Sequence, residues 1–139
     1  MDREMILEKL ESLRRCVRRV SEKCPPDAET LLHDFDLQDI LALNLSRAVQ
    51  LCVDIGTHFI ADLDVPPPDT MGKTFDALRD AGVIDDALAV RLKKAVGFRN
   101  IAVHNYEAVD WKIVHSIALN RLEDFSDFAR IASARLDQS

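Results

Sequence analysis

Four side chains that suit phosphate chemistry stand close together near the end of a strongly helical pattern: Arg99, Asn100, His104 and Tyr106. Arg99 has a planar fork of donors that fits two phosphate oxygens and can stabilise charge building on phosphorus. As a histidine, His104 can take a proton from a ribose 2′-hydroxyl or give one to the leaving 5′-oxygen. Asn100 can orient the imidazole or the phosphate, and Tyr106 can stack on a base or hydrogen-bond to the scissile phosphate. This set can cleave RNA without a metal ion.

One straight helix does not bring these four side chains to one point. At about 100° per residue, Arg99 and Tyr106 fall within about 20° of each other. Asn100 and His104 form an i, i+4 pair on a face roughly 120° away. Either the helix ends or kinks near His104, or a second copy of the stretch from another protomer completes the site.

The order of these residues resembles the RX4HXY motif of the HEPN superfamily, and in particular of its HepT-like toxins (the DUF86 family). The resemblance extends from about residue 37 to about residue 130. Upstream of the motif it depends on the residues Thr74, Phe75, Leu78, Gly82, Ile84, Leu88, Leu92, Val96, Gly97 and Phe98. Ala95 departs from the pattern, since a bulkier residue is common there, and this affects packing rather than chemistry.

The resemblance implies a fold and an assembly. HEPN domains are all-α, and we expect an up-and-down bundle of four main helices plus a short helix. The length of 139 residues suits one domain, so a single HEPN domain is expected over residues 1–139. HEPN proteins commonly dimerise with their two motifs facing each other, which implies a homodimer here.

The resemblance also implies an activity and a partner. HepT-type toxins are metal-independent endoribonucleases that need no cofactor, so we expect RNA cleavage that leaves a 2′,3′-cyclic phosphate, with Arg99, Asn100, His104 and Tyr106 as catalytic residues. The expected partner is a minimal nucleotidyltransferase (MNT-type) antitoxin, which neutralises the toxin. Such antitoxins add AMP units to the tyrosine that matches Tyr106, so Tyr106 is the expected site of modification.

Two other kinds of protein are compatible with the pattern. One is a HEPN-fold subunit that presents substrate to a nucleotidyltransferase and cleaves nothing. The other is an inert helical oligomerisation module, in which a lone histidine near a helix end is a cap or a core residue. The intact pair of Arg99 and His104 favours the nuclease, because substrate-binding relatives often lack it.

Composition indicates a helix-rich globular chain, with 47% hydrophobic and 30% charged residues and only four glycines. No run approaches the roughly 20 apolar residues of a membrane span. The first residues lack the basic-then-apolar layout of a signal peptide. We therefore expect a cytoplasmic protein without a membrane segment.

Cysteines and histidines offer little support for a disulfide or a metal site. Cys16, Cys24 and Cys52 are an odd number without a CxxC pair. We interpret Cys16 and Cys52 as small core residues and Cys24 as a loop residue. The histidines at positions 33, 58, 104 and 115 form no HxxxH pair, so no metal is expected.

The net charge of −6 argues against a general nucleic-acid binder. Residues 91–112 nevertheless hold five basic side chains and two acidic ones, so a positive field around the motif is predicted. A second cluster of Arg14, Arg15, Arg18 and Arg19 lies in the first helical pattern. That cluster is either a solvated face or a contact for RNA or for the antitoxin.

Periodicity and breaker residues predict the helices. The first runs from about residue 2 to residue 23 and stops at Pro25 and Pro26. A short turn capped by Asp27 follows, then a long helix from about Asp36, as its cap, to residue 62. A helix over about residues 70–81 ends at Gly82, and Asp85 or Asp86 caps the helix that carries the motif. Asp110 caps a last helix that reaches about residue 136.

A polar line runs along the long helix through Asn44, Arg47, Asp54 and His58, and it is either plain surface or a face turned towards the motif helix. HepT-like sequences carry an Asn-Leu and an Asp-Ile at the places of Asn44-Leu45 and Asp54-Ile55, which favours the second alternative. Asp54 is the candidate to hold Arg99 or His104 by a charge-assisted hydrogen bond. Arg47 is a candidate second phosphate contact. Trp111, just after the motif, either stacks on a base or serves packing or an interface.

Overall fold

The computed structural model describes residues 2–138, and in that range the chain consists of helices and the turns between them. The helices are α1 (Arg3–Lys23), α2 (Ala28–Leu32), α3 (Phe35–Ala61), α4 (Met71–Asp80), α5 (Asp86–His104), α6 (Trp111–Asn120) and α7 (Leu122–Asp137), and a 3₁₀ turn over Tyr106–Ala108 joins α5 to α6. The all-α prediction is confirmed.

Short polar side chains determine where most of these helices begin. In six of the helices, the side chain just before the first residue accepts a hydrogen bond from a backbone N–H of the first turn. These N-cap residues are Asp2, Asp27, Asp34, Thr70, Asp85 and Asp110, for α1 to α6 in that order. The predicted caps Asp27 and Asp110 are confirmed, and Asp85 rather than Asp86 caps α5. The predicted cap of α3 is wrong, because the backbone N–H of Leu37 donates to Asp34, at 3.0 Å, and the helix begins before Asp36.

The turn between α4 and α5 depends on Gly82. Its φ of 76° lies in the left-handed region that favours glycine. The N–H of Gly82 donates to the carbonyl of Arg79, and the N–H of Val83 donates to the carbonyl of Leu78, both at 2.9 Å. These bonds satisfy the last carbonyls of α4, as the predicted helix stop requires.

The last predicted helix is divided in two at Arg121, which leaves the helical conformation with ψ of 7°. Its N–H still donates to the carbonyl of Ile117, at 2.9 Å, and closes α6. The break has a packing reason, because α6 packs mainly against α2 whereas α7 packs mainly against α1. One straight helix cannot follow both partners.

The core surrounds α3, which contacts every other α-helix. Its largest fully buried side chains include Phe59, Phe75 and Phe128. The rings of Phe75 and Phe128 meet edge to face, with centroids 6.2 Å apart. As predicted, Cys16 and Cys52 are buried here, and burial raises the pKa of the Cys52 thiol.

The long helix α3 is also apolar enough, and long enough, to cross a membrane by length and composition alone. In that respect the expectation that no run approaches a membrane span is wrong. In this structure 56% of the most apolar 18-residue window of α3 is buried inside the protein. Core helices of helical bundles can be equally long and equally apolar, because their apolar residues face other helices on several sides.

Candidate active site

The motif helix α5 ends at His104, so the first of the two geometric alternatives holds in this structure. Asn105 leaves the helical conformation, with φ of −151° and ψ of 66°. Its N–H donates to the carbonyl of Ile101, at 2.8 Å, and closes the last turn. Tyr106 then starts the 3₁₀ turn, which is anchored by the buried side chain of Val109.

The arginine and the histidine of the motif point in different directions. Arg99 is half-buried, and its Nη1 donates to Oδ1 of Asn100, at 3.3 Å. Asn100 and His104 lie one turn apart on the exposed face of α5. His104 follows Arg99 by five positions, which corresponds to about 140° around the helix. Within residues 2–138, His104 makes no side-chain hydrogen bond or ion pair.

The phenol of Tyr106 is held by a residue that sequence reasoning missed. Its Oη donates to Oδ1 of Asp39 in α3, at 2.6 Å. Burial, followed by this hydrogen bond, raises the pKa of Tyr106 above its usual value. The phenol therefore holds its proton more tightly than a free tyrosine side chain does. No local pattern indicates Asp39 as the partner, because it lies 67 positions away in sequence.

Trp111, the first residue of α6, packs against the same tyrosine. The centroids of the Trp111 and Tyr106 rings are 5.6 Å apart, and the ring planes are tilted by 60°. The indole is half-buried and contacts the core. Of the two predicted roles, the structure therefore shows packing, and the partner is a residue of the motif.

The predicted contact between Asp54 and the motif is absent from this structure. Oδ2 of Asp54 accepts from Nζ of Lys9 in α1, at 3.4 Å, and Oδ1 accepts from Nε2 of Gln50, at 2.9 Å. Asp54 lies on the side of α3 that faces α1. Within one chain it does not hold Arg99 or His104, so this prediction is wrong for a single protomer.

Asn44 and Arg47, which belong to the same polar line, have different surroundings. Asn44 is buried, and its Nδ2 donates to the carbonyl of Ile40 within its own helix, at 2.8 Å. Arg47 is exposed and lies near Cys16 of α1. Burial raises the pKa of the Cys16 thiol, and the positive charge of Arg47 partly offsets this rise. Within residues 2–138, neither residue makes a hydrogen bond or an ion pair to a side chain of the motif.

Ion pairs reduce the positive field that was predicted for residues 91–112. Nε of Arg91 donates to Oδ1 of Asp124, at 2.6 Å, and joins α5 to α7. Nζ of Lys93 donates to Oδ1 of Asp76, at 3.0 Å, and joins α5 to α4. Two of the five basic side chains are thus neutralised by carboxylates from outside the segment. The remaining charge near the motif is smaller than the sequence suggested.

Apolar side chains are exposed around the motif. Ile101 and Val103 on α5 are 45% and 51% exposed, Ile113 on α6 is 55% exposed, and Leu43 on α3 is 50% exposed. Beside the motif, a groove of about 490 Å³ lies between α5, α6 and the start of α7. Among residues 2–138, no group of three or more histidine, cysteine or acidic side chains is placed to hold a metal ion.

The chain matches a known family over nearly its whole length. A family model described as Ribonuclease HepT-like matches residues 6–132. The mRNA nuclease HepT of Shewanella oneidensis is 34% identical over 131 residues, which cover 94% of this chain and 98% of that protein.

Solved structures agree with this match. The tri-AMPylated HEPN toxin of Shewanella oneidensis, solved in complex with MNT antitoxin, has a TM-score of 0.87 and 34% identity over 96% of this chain and 98% of that one. A chain of a toxin–antitoxin complex solved with AMP-PNP has a TM-score of 0.86 and 32% identity over 95% of this chain and 98% of that one. The family and the fold implied by the sequence are confirmed, and the chain belongs to the ribonuclease HepT-like family.

Proposed function

We propose that this protein is a metal-independent endoribonuclease and the toxin of a toxin–antitoxin pair. Membership of a ribonuclease family and similarity to an mRNA nuclease support this. The observation that carries the proposal is the intact spacing of Arg99 and His104 at the end of α5, where the imidazole is open to solvent and free to meet a substrate. Each protomer is proposed to be a single HEPN domain over residues 1–139 that acts in the cytoplasm.

In the proposed mechanism, a ribose 2′-oxygen forms a bond to the adjacent phosphorus while the bond from phosphorus to the 5′-oxygen breaks. His104 takes the proton of the 2′-hydroxyl or supplies one to the 5′-oxygen, and solvent water carries out the other transfer. Arg99 stabilises the charge on the phosphoryl oxygens, and Asn100 and Tyr106 position the substrate. The products are a 2′,3′-cyclic phosphate and a free 5′-hydroxyl.

We further propose that a homodimer forms the complete site. Arg99 and His104 diverge on α5, so one chain offers them to different regions of space. The apolar side chains exposed around the motif are of the kind that a protein partner covers. A second copy facing the first places the arginine of one motif near the histidine of the other.

The proposed inhibitor is an MNT-type nucleotidyltransferase antitoxin that adds AMP to the hydroxyl of Tyr106. The similar HEPN toxin of Shewanella oneidensis is tri-AMPylated and is bound to an MNT antitoxin. Modification of Tyr106 would break its hydrogen bond to Asp39 and add negative charge beside the motif. Both effects oppose the approach of an RNA phosphate.

Expression from a tightly repressed promoter tests the nuclease. Wild-type protein should stop growth and produce new RNA ends that carry a 2′,3′-cyclic phosphate. His104→Ala should do neither, since the loss of a general acid or base costs roughly 10²–10⁴-fold in rate. If both proteins are harmless and the RNA is intact, the chain is instead a non-catalytic HEPN subunit. Co-purification with a nucleotidyltransferase would then be its test.

A further inference from the structure

The four arginines of α1 are divided between two sides of the helix. Arg14 and Arg18 line a shallow groove with Phe125 and Ala129 of α7. Arg15 and Arg19 each follow by one residue, and so lie about 100° further around the helix. This rotation carries them away from α7 and towards the side on which α3 packs.

Contacts between α1 and α3 show which part of α3 lies beside Arg15 and Arg19. Lys9 contacts Asp54, at 3.4 Å, and further along α1 the Cys16 thiol lies close enough to Arg47 and Arg15 for both charges to act on its pKa. Residue numbers therefore rise along α1 as they fall along α3, so the helices are antiparallel.

The same pairing places Arg19 one turn beyond Arg15. Arg19 thus lies further towards the end of α3 that holds Asp39, the hydrogen-bond partner of Tyr106.

The motif lies a short distance along α3 from the surface formed by Arg15, Arg19 and Arg47. Asp39, which anchors Tyr106, precedes Arg47 by eight residues, or roughly 12 Å of helix. A few nucleotides of single-stranded RNA can span such a distance. The carboxylates of Asp34 and Asp36, on the far side of Asp39 from Arg47, make the beginning of α3 unfavourable for phosphates. The electrostatic field therefore favours an RNA strand that runs from the motif towards α1.

We propose that Arg15, Arg19 and Arg47 form a track that binds the phosphates of single-stranded RNA next to the cleaved bond. This inference depends on the proposed ribonuclease function and names the surface that holds the rest of its substrate. All three side chains are exposed and make no hydrogen bond or ion pair to another side chain in the part of the chain that the structure describes.

The track also explains how an acidic protein binds RNA. The net charge is −6, and two of the five basic residues near the motif are already paired with carboxylates. Arginine suits a phosphate track, because its planar donors bind phosphate oxygens in pairs. A single strand also offers flexible phosphates that can follow the surface of a helix.

The test compares two double variants of the full chain that remove equal charge from the same helix. Arg15→Ala with Arg19→Ala removes the track, whereas Arg14→Ala with Arg18→Ala removes the pair beside α7. Both are made together with His104→Ala, so that RNA stays intact. The probes are labelled oligouridylates of about 16 and about 4 nucleotides, titrated at several salt concentrations.

The track predicts roughly threefold to tenfold weaker binding of the longer probe by the Arg15 and Arg19 variant alone. The slope of log affinity against log salt should become shallower by about 1.4, the value for two lost phosphate contacts on a single strand. The advantage of the longer probe over the shorter one should shrink. The Arg14 and Arg18 variant should retain the affinity and slope of the parent.

Three results would overturn the track. If both double variants lost the same affinity for the longer probe, the effect would come from net charge only. Unchanged RNA affinity with lost binding to the nucleotidyltransferase antitoxin would assign the arginines to a protein contact. If the parent binds neither probe and the wild type cuts no cellular RNA, the ribonuclease proposal fails as well, and this pattern differs from a failure of the track alone.

Discussion

Tyr106 Oη lies 2.6 Å from Asp39 Oδ1 and ties the 3₁₀ turn after the motif helix to the central helix α3. The tyrosine ring also packs on Trp111, so two contacts hold the position of the phenol. The proposed acceptor of AMP is therefore an oriented side chain whose hydroxyl already has a hydrogen-bond acceptor.

Replacing Asp39 with Asn should lower the pKa of Tyr106 towards its usual value of about 10. The substitution removes the negative charge that disfavours the phenolate and leaves the burial in place. Tyr106 is the only tyrosine of the chain, so a spectrophotometric titration of phenolate reports on it alone. Asp36→Asn, one turn away on α3, is the matched control. An unchanged titration in Asp39→Asn would contradict the role given to the hydrogen bond.

The same raised pKa predicts a loss of stability at alkaline pH. In the unfolded chain Tyr106 titrates near pH 10, whereas the folded chain holds the proton more tightly. The resulting contribution to the free energy of unfolding is complete below about pH 10 and is lost as the pH rises through the folded pKa. Urea unfolding of wild type and Tyr106→Phe over this range measures it. The free energy of unfolding of the wild type should fall relative to that of Tyr106→Phe as pH rises, and parallel curves would contradict the prediction.

Asp54→Asn should leave RNA cleavage almost unchanged. In the structure Asp54 pairs with Lys9 and Gln50, away from the motif of its own chain. The pair with Lys9 is partly exposed, so its loss should cost at most about 1 kcal/mol of unfolding free energy. The measurement is the rate of cleavage of one RNA substrate by wild type, Asp54→Asn and Arg99→Ala. A loss as large as that of Arg99→Ala would mean that Asp54 reaches the motif, for instance across a dimer.

Asp124→Ala should destabilise the protein by about 1–3 kcal/mol. The Asp124 side chain is only 10% exposed, and its hydrogen bond from Arg91 joins α5 to α7. Removing the carboxylate leaves the guanidinium half-buried without its partner. Asp127→Ala, which breaks an exposed pair with Arg130 on the same helix, should have little effect. Urea unfolding of both variants provides the comparison, and equal stability would contradict the anchoring role.

Local sequence determined where the helices begin and end and which family the chain belongs to. Asp27, Asp85 and Asp110 cap helices because a short acceptor reaches the free N–H groups of the next turn. Gly82 ends α4 because glycine adopts the left-handed conformation without a steric cost. The order of Arg99, His104 and Tyr106 is likewise contained in one short stretch, so the amino-acid sequence suffices to show the resemblance. These features depend on residues a few positions apart.

The side chains that meet across helices could be identified from the tertiary structure alone. It joined Tyr106 to Asp39, turned Asp54 towards Lys9, and placed Arg91 on Asp124. It also split the last helix at Arg121, where the chain changes packing partners. Each outcome depends on the register and rotation of one helix against another, which many distant apolar contacts set together. No short pattern in the sequence records that rotation.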